Sequence, residues 1–208
     1  MRTKVDLETW VRKDHFKFFN SFDEPYFSVN VDVDCTIAYQ KAKEQGISFY
    51  LYYLYCAISA INGIENFRYR VIGDEVFIFD KIDVTHVVLR PNETFGFGFI
   101  EFKPTLAEFI ATAKADTERI LASTGLDLKL PGDNIIHFSA MPGLKFTGLT
   151  HARSFAFRDS STKLSVGKLT DVDGRKMMPL SVTVHHGLTD GLHVSRFVDL
   201  YQQLLNQQ

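Results

Sequence analysis

The segment from Pro179 to Gly191, PLSVTVHHGLTDG, constrains the fold most, because it demands a strand, a turn and the start of a helix in immediate succession. From Leu180 the residues alternate, so Leu180, Val182, Val184 and His186 share one face of the pleat, and Ser181, Thr183 and His185 share the other. His186 thereby prolongs an apolar face. A partly desolvated, neutral imidazole there can act as a general base near neutral pH. Asp190, followed by Gly191, stands where a helix begins. The same spacing also describes one satisfied core histidine beside one surface histidine, so catalysis and packing are both open on this segment alone.

Such a strand needs neighbours and a covering layer, and the rest of the chain supplies both. Strands are expected at residues 26–33, 67–72, 75–79, 83–89, 95–99, 134–140, 144–147, 164–169 and 179–185, many bounded by Gly, Asp or Asn. Ile72-Gly73-Asp74-Glu75 reads as a hairpin turn. Two helices carry apolar stripes, one through Leu106, Phe109, Ile110, Ala113, Ile120 and Leu121, the other through Val194, Phe197, Val198, Tyr201, Leu204 and Leu205. The apolar run 47–61 spans only about 22 Å as a helix, short of the ~30 Å hydrocarbon layer, and it contains four tyrosines. It reads as a buried helix, not a membrane span. Without a strict βαβ rhythm, a repeat or a linker, residues 1–208 are expected to form a single α/β domain, a mixed β-sheet packed with helices in a two-layer sandwich.

Phe95-Gly96-Phe97-Gly98-Phe99 contains a GxG, but no third glycine follows at dinucleotide-binding spacing and no helix opens there. It describes a strand with three rings on one face and close backbone approach on the other, either core packing or a pocket wall. The 19 phenylalanines and 8 tyrosines likewise fit either a large aromatic core or a pocket for a flat apolar ligand. A formal charge of −2, with no long basic block, gives no footprint for nucleic acid. Cys35 and Cys56 lack metal-ligand spacing, and MRTKVDLETW has no apolar leader, so a reducing cytoplasm is the expected compartment.

HHGLTDG resembles the HHxxxDG signature of the chloramphenicol acetyltransferase family, a version of the HxxxDG signature of a wider group of CoA-dependent acyltransferases. Trp10, Arg12, His15 and Phe16 resemble that family's W-x-R-x-x-H-F segment, and SAMPGLKFTG (139–148) its SAxPWxxFxS segment. Phe67-Arg68, Glu93-Thr94-Phe95 and Gly191-Leu192-His193-Val194 add matches in the family's order, so the resemblance spans essentially the whole chain.

The resemblance implies a homotrimer with active sites at subunit interfaces, using acetyl-CoA and a small-molecule alcohol acceptor such as chloramphenicol, with no metal. His186 would be the general base and Asp190 an orienting group paired with Arg12. Phe19, Phe27 and Phe95 match aromatic residues of the acceptor pocket, Ser165 a threonine that holds a water, and Lys168 a lysine near the CoA channel. By the resemblance, Gly148 stands where the family carries the serine whose hydroxyl donates to the oxyanion; Thr150, two residues on, would share its face if the strand continued, and is the expected substitute. Gly143 replaces the tryptophan of SAxPW, which implies a reshaped cleft.

Two other readings compete. A homologue without turnover would bind CoA or a small aromatic ligand. A metal hydrolase would use His185, His186, Asp190 and His193, but adjacent strand residues project to opposite faces and cannot readily reach one ion. The dihydrolipoyl acyltransferase cores share HxxxDG, yet this chain carries the WxRxxHF segment and no lipoyl domain or Ala/Pro linker.

Overall fold

The computed structural model describes residues 1–128, 132–154 and 159–207. In chain order the elements are β1 (Arg2–Lys4), α1 (Lys13–Phe19), β2 (Tyr26–Asp34), α2 (Thr36–Glu44), α3 (Phe49–Gly63), a 3-10 turn (Glu65–Arg68), β3 (Tyr69–Ile72), β4 (Glu75–Phe79), β5 (Asp83–Leu89), β6 (Phe95–Ile100), α4 (Leu106–Ala122), β7 (Ile135–Ala140), β8 (Lys163–Val166), β9 (Thr170–Val172), β10 (Arg175–His185) and α5 (Gly191–Leu205). The main sheet runs β2-β10-β8-β7-β5-β6, with β9 also paired to β10. Only β5 with β7 and β7 with β8 are parallel, so the sheet is mixed. A second, small sheet has the order β1-β4-β3.

Register sorts the side chains. Met178, Leu180, Val182 and Val184 of β10 lie opposite Val33, Val31, Val29 and Phe27 of β2. With Leu164, Val166, Ile136, Phe138 and Val84 they make one apolar face, buried against α2 to α5. α3 is capped by Ser48 and buries nine of its residues, as the apolar run demanded. Arg70 ties the small sheet to the main one: its buried guanidinium donates to the carbonyls of Ile135 (2.6 Å) and Asp133 (3.0 Å). The opposite face of the main sheet is polar, with Ser181, Thr183 and His185 on β10, Lys163 and Ser165 on β8, and His137 and Ser139 on β7.

Several expectations need correction. Residues 144–147 form no strand, because Leu144 N–H donates to Met141 C=O (3.0 Å) and turns the chain away from the ladder. Residues 67 and 68 belong to the 3-10 turn, and the segment 164–169 ends as a strand at Val166. The strand expected at 179–185 begins earlier, at Arg175. Leu121 lies exposed in the last turn of α4.

Candidate active site

β10 ends at His185, so His186 sits on the first residue of the turn, its N–H donating to Pro25 C=O (2.7 Å). The ring stacks on Phe19, with centroids 3.8 Å apart and planes at 8°, and tilts against Phe27 at 4.5 Å. Nδ1 is buried with no hydrogen-bond partner among the described residues. The imidazole is therefore half-buried between two aromatic side chains, one from α1 and one from β2.

The polypeptide around it is braced electrostatically. Arg12, just before α1, donates through Nη1 to Asp190 Oδ2 (2.8 Å), and its Nη2 reaches the His186 carbonyl at 3.5 Å. Asp190 caps α5 by accepting from Leu192 N–H (3.1 Å), while the His193 ring accepts from Asp190 N–H (3.2 Å). Burial pushes the Asp190 carboxyl up, but the Arg12 hydrogen bond, the charge that His193 carries when protonated and the charge of Arg12 outweigh it and hold the group below the ordinary carboxylate range. Trp10 anchors this segment, packing edge-on against Tyr69 at 5.2 Å and tilted against Phe16 at 6.0 Å, whereas His15 is exposed.

The remaining sequence-derived candidates lie elsewhere. Ser165 is paired in register with Ser139 on one side and Ser181 on the other, and the hydroxyls of Ser165 and Ser181 are buried without partners among the described residues. Ser139 opens into a cavity of about 460 Å³ with an apolar wall of Val87, Phe97 and Leu128 and a polar wall that includes His137, His151 and Lys163. Phe95 is 42% exposed and lies edge-on to the cavity-lining Phe97 at 5.4 Å. Lys168 is exposed beyond β8. Among the described residues, His186 borders neither this cavity nor a second one of about 480 Å³ lined by His185.

Gly148 and Thr150 are not brought to a reacting centre. Both are exposed on a segment outside any strand, and a Cβ built on Gly148 would meet nothing within 4 Å. The face-sharing that recommended Thr150 fails with the strand it presumed. Ser139, which lines the cavity, was not singled out from the sequence, although alternation with the core residues Ile136 and Phe138 places it on the polar face, at the head of the SAxP segment.

His185 faces the opposite way from His186. Its ring packs on Tyr26 (5.6 Å), the strand neighbour of the Phe27 that contacts His186, and Nδ1 accepts from Gly187 N–H (3.2 Å). Burial, aided by Arg153, pushes its pKa down to about 4. Among the described residues, no three His, Cys, Asp or Glu side chains converge on an ion site. No described helix is long and apolar enough to cross a membrane.

A strand-end imidazole braced by an arginine–aspartate pair, on a mixed sheet with one helical face, is the arrangement that the resemblance to CoA-dependent acyltransferases implies. Comparison with known proteins narrows this. The family model described as chloramphenicol acetyltransferase matches residues 1–202. Chloramphenicol acetyltransferase 3 of Escherichia coli is 27% identical, over 99% of this chain and 98% of its own length. The chloramphenicol acetyltransferase of Campylobacter coli is 29% identical over 99% of both. A solved chloramphenicol acetyltransferase superposes with a TM-score of 0.92 at 31% identity, covering 99% of this chain and 100% of that one. The chain belongs to the chloramphenicol acetyltransferase family. The dihydrolipoamide acetyltransferase of Azotobacter vinelandii shares the fold, with a TM-score of 0.67 at 19% identity over 92% of this chain and 85% of its own.

Proposed function

We propose that this protein transfers the acetyl group of acetyl-CoA to a hydroxyl of a small molecule, with His186 as the general base. The observation that carries the reading is the His186 ring, clamped between Phe19 and Phe27 with Nδ1 sealed and the adjoining carbonyl braced by Arg12, which leaves Nε2 to meet an incoming alcohol. Nε2 takes the hydroxyl proton as the oxygen attacks the thioester carbonyl; the tetrahedral adduct then collapses, expelling the CoA thiolate, which recovers the proton from the imidazolium. Asp190 and Arg12 position the turn and take no proton.

The separation of His186 from the 460 Å³ cavity supports a site completed by a second copy, as in a homotrimer. Exposed Val11, Phe18 and Phe22 near the imidazole, and exposed Leu89, Phe95 and Leu128 near the cavity, are the apolar surfaces such an assembly would cover. On this reading Phe19 and Phe27 belong to the histidine's side of the site, and Phe95 and Ser165 to the cavity's. Lys168 remains the candidate for CoA. The oxyanion donor is assigned to Ser139, which lines the cavity and pairs in register with Ser165, and not to a substitute for Gly148. On this assignment the glycine at 148 no longer argues for a homologue without turnover.

The test is CoA thiol release from acetyl-CoA, with chloramphenicol and a panel of other alcohols, by the wild type and by His186→Ala. Loss of about 10²–10⁴ in turnover with the fold unchanged supports the assignment. Undiminished release by His186→Ala removes it.

A further inference from the structure

The peptide that precedes His186 is held through a second peptide, and that one ends on Asn66. The His185 carbonyl accepts from Leu188 N–H and Thr189 N–H (3.0 Å each), while His186 N–H, on the same peptide as that carbonyl, donates to Pro25 C=O (2.7 Å). The Leu188 carbonyl, which shares its peptide plane with Thr189 N–H, accepts from Asn66 Nδ2 at 3.2 Å across 122 residues of sequence. A carbonyl only accepts, so the Asn66 amide presents its NH2 to the turn. Hydrogen bonds thus run in series from Asn66, through two planar peptides, to Pro25 at the start of β2. Each peptide is rigid, so the tilt of one carries over to the next, and bonds in such a chain strengthen one another. Asn66 also accepts through its own carbonyl from Thr189 Oγ1 (3.4 Å). The Leu188 side chain packs with Phe16, Tyr69, Val71 and Val76, which fixes where the turn lies. Apolar packing has no direction, whereas the Asn66 amide sets how the 188–189 peptide is rotated.

We infer that Asn66, in the 3-10 turn, is a positioning residue for the general base: it orients the 188–189 peptide and, through it, the peptide that precedes His186. This rests on the proposed acetyl transfer and extends its apparatus beyond the Arg12–Asp190 pair. Arg12 acts on the His186 carbonyl and Asn66 on the peptide before it, so the backbone is held on both sides of the imidazole. Among the described residues, Asn66 lines neither the 460 Å³ nor the 480 Å³ cavity, so its effect is expected on turnover and not on substrate binding. Misplacing a reacting group by about 1 Å costs on the order of 10² in rate.

The test uses the full-length protein with acetyl-CoA and the best acceptor of the alcohol panel. Asn66→Asp keeps the shape of the side chain but sets an acceptor against the Leu188 carbonyl, Asn66→Ala removes the side chain, and Asn66→Gln keeps an amide donor. The control is Asn62→Ala, because Asn62 makes a comparable backbone clasp elsewhere, donating to Ile58 C=O and Ile82 C=O (2.9 Å each) and accepting from Ile82 N–H (2.8 Å). In Asn66→Ala and Asn66→Asp, kcat is expected to fall by about 10- to 100-fold with KM within about twofold, and Asn66→Gln should recover part of the loss. Asn62→Ala should lose stability and keep kcat within about twofold. Amide hydrogen exchange at Thr189 and His186, measured relative to the core of β10, should quicken in Asn66→Ala and Asn66→Asp and not in the control. Unchanged kcat in both variants, or an equal fall in Asn62→Ala, overturns the inference. If the wild type turns over no alcohol, the acetyl-transfer reading fails by itself. Exchange then decides for Asn66: faster exchange confined to its variants keeps it as the residue that orients the turn, and unchanged exchange removes it.

Discussion

Arg12 Nη1 and Asp190 Oδ2 meet at 2.8 Å across 178 residues of sequence, joining the start of α1 to the cap of α5. Because Arg12 also reaches the His186 carbonyl, the pair sets the turn that carries the imidazole. Arg12→Ala leaves a partly buried carboxylate unpaired and frees that turn. Stability should fall by about 2 kcal/mol, between the values for exposed and fully buried pairs. Turnover should fall by about 10² through misplacement of the base, with KM changing much less. Thermal unfolding and steady-state kinetics check both, and full kcat in the variant would show that the brace does not position His186.

The two positions considered for the oxyanion hydroxyl make opposite predictions. Ser139→Ala should lower kcat by roughly 10²–10³, the usual cost of removing one such donor. Gly148→Ser should change activity by less than about twofold, since position 148 is exposed with open space around it. Kinetics of the two variants with one acceptor decide the matter. A large gain from Gly148→Ser would return the missing hydroxyl to that segment.

Local signals were legible where the physics is local. Strict alternation from Leu180 and a capping aspartate suffice to announce β10 and α5, and both are present. Residues 144–147 looked like a strand by composition, but a strand also needs a ladder partner, and the turn at Met141 to Leu144 denies it one. The FGFGF segment left core and pocket open because the occupants of its glycine face come from elsewhere: Arg90 stands over Gly96, and His86 with Asp116 over Gly98. Phe97, on the other face, does line the cavity. The Arg12–Asp190 contact was anticipated only through the family resemblance, since nothing in spacing joins residues so far apart. The separation of His186 from the cavity was not legible at all, because it depends on where the sheet places residues far apart in sequence.

Gly98 is the position at which a single methyl group should do the most damage. A Cβ there would lie 2.2 Å from Asp116 Oδ2 and 2.3 Å from His86 Nε2, two buried groups that contact each other at 3.1 Å. Asp116 also accepts from Phe99 N–H (2.8 Å), and His86 Nδ1 meets the Tyr50 hydroxyl at 3.1 Å, so neither can retreat without losing a partner. Gly98→Ala is expected to cost on the order of 3 kcal/mol, whereas Gly143→Ala, with nothing within 4 Å, should be neutral. Chemical denaturation of the two variants provides the comparison, and equal midpoints would refute the packing argument.

Acid should destabilise the protein in two windows. His137 and His185 are both pushed down to about 4 by burial, the first facing Lys163, Asp159, Arg70 and His151, the second Arg153, Asp159 and His186. An unfolded chain binds protons at these residues from about pH 6.5 downward, and the folded chain does not until about pH 4. The unfolded state therefore holds more protons throughout that interval, and stability falls as pH falls, by up to roughly 3 kcal/mol for each histidine. Asp190, held below the ordinary carboxylate range, adds its loss only below about pH 4. Replacing both histidines by glutamine should weaken the dependence between about pH 6.5 and 4, leaving the share of His151 and His193, which burial also lowers, and should leave the loss below about pH 4 in place. Thermal midpoints measured across the range give the answer, and an unaltered slope in the double variant would assign the acid sensitivity to other groups.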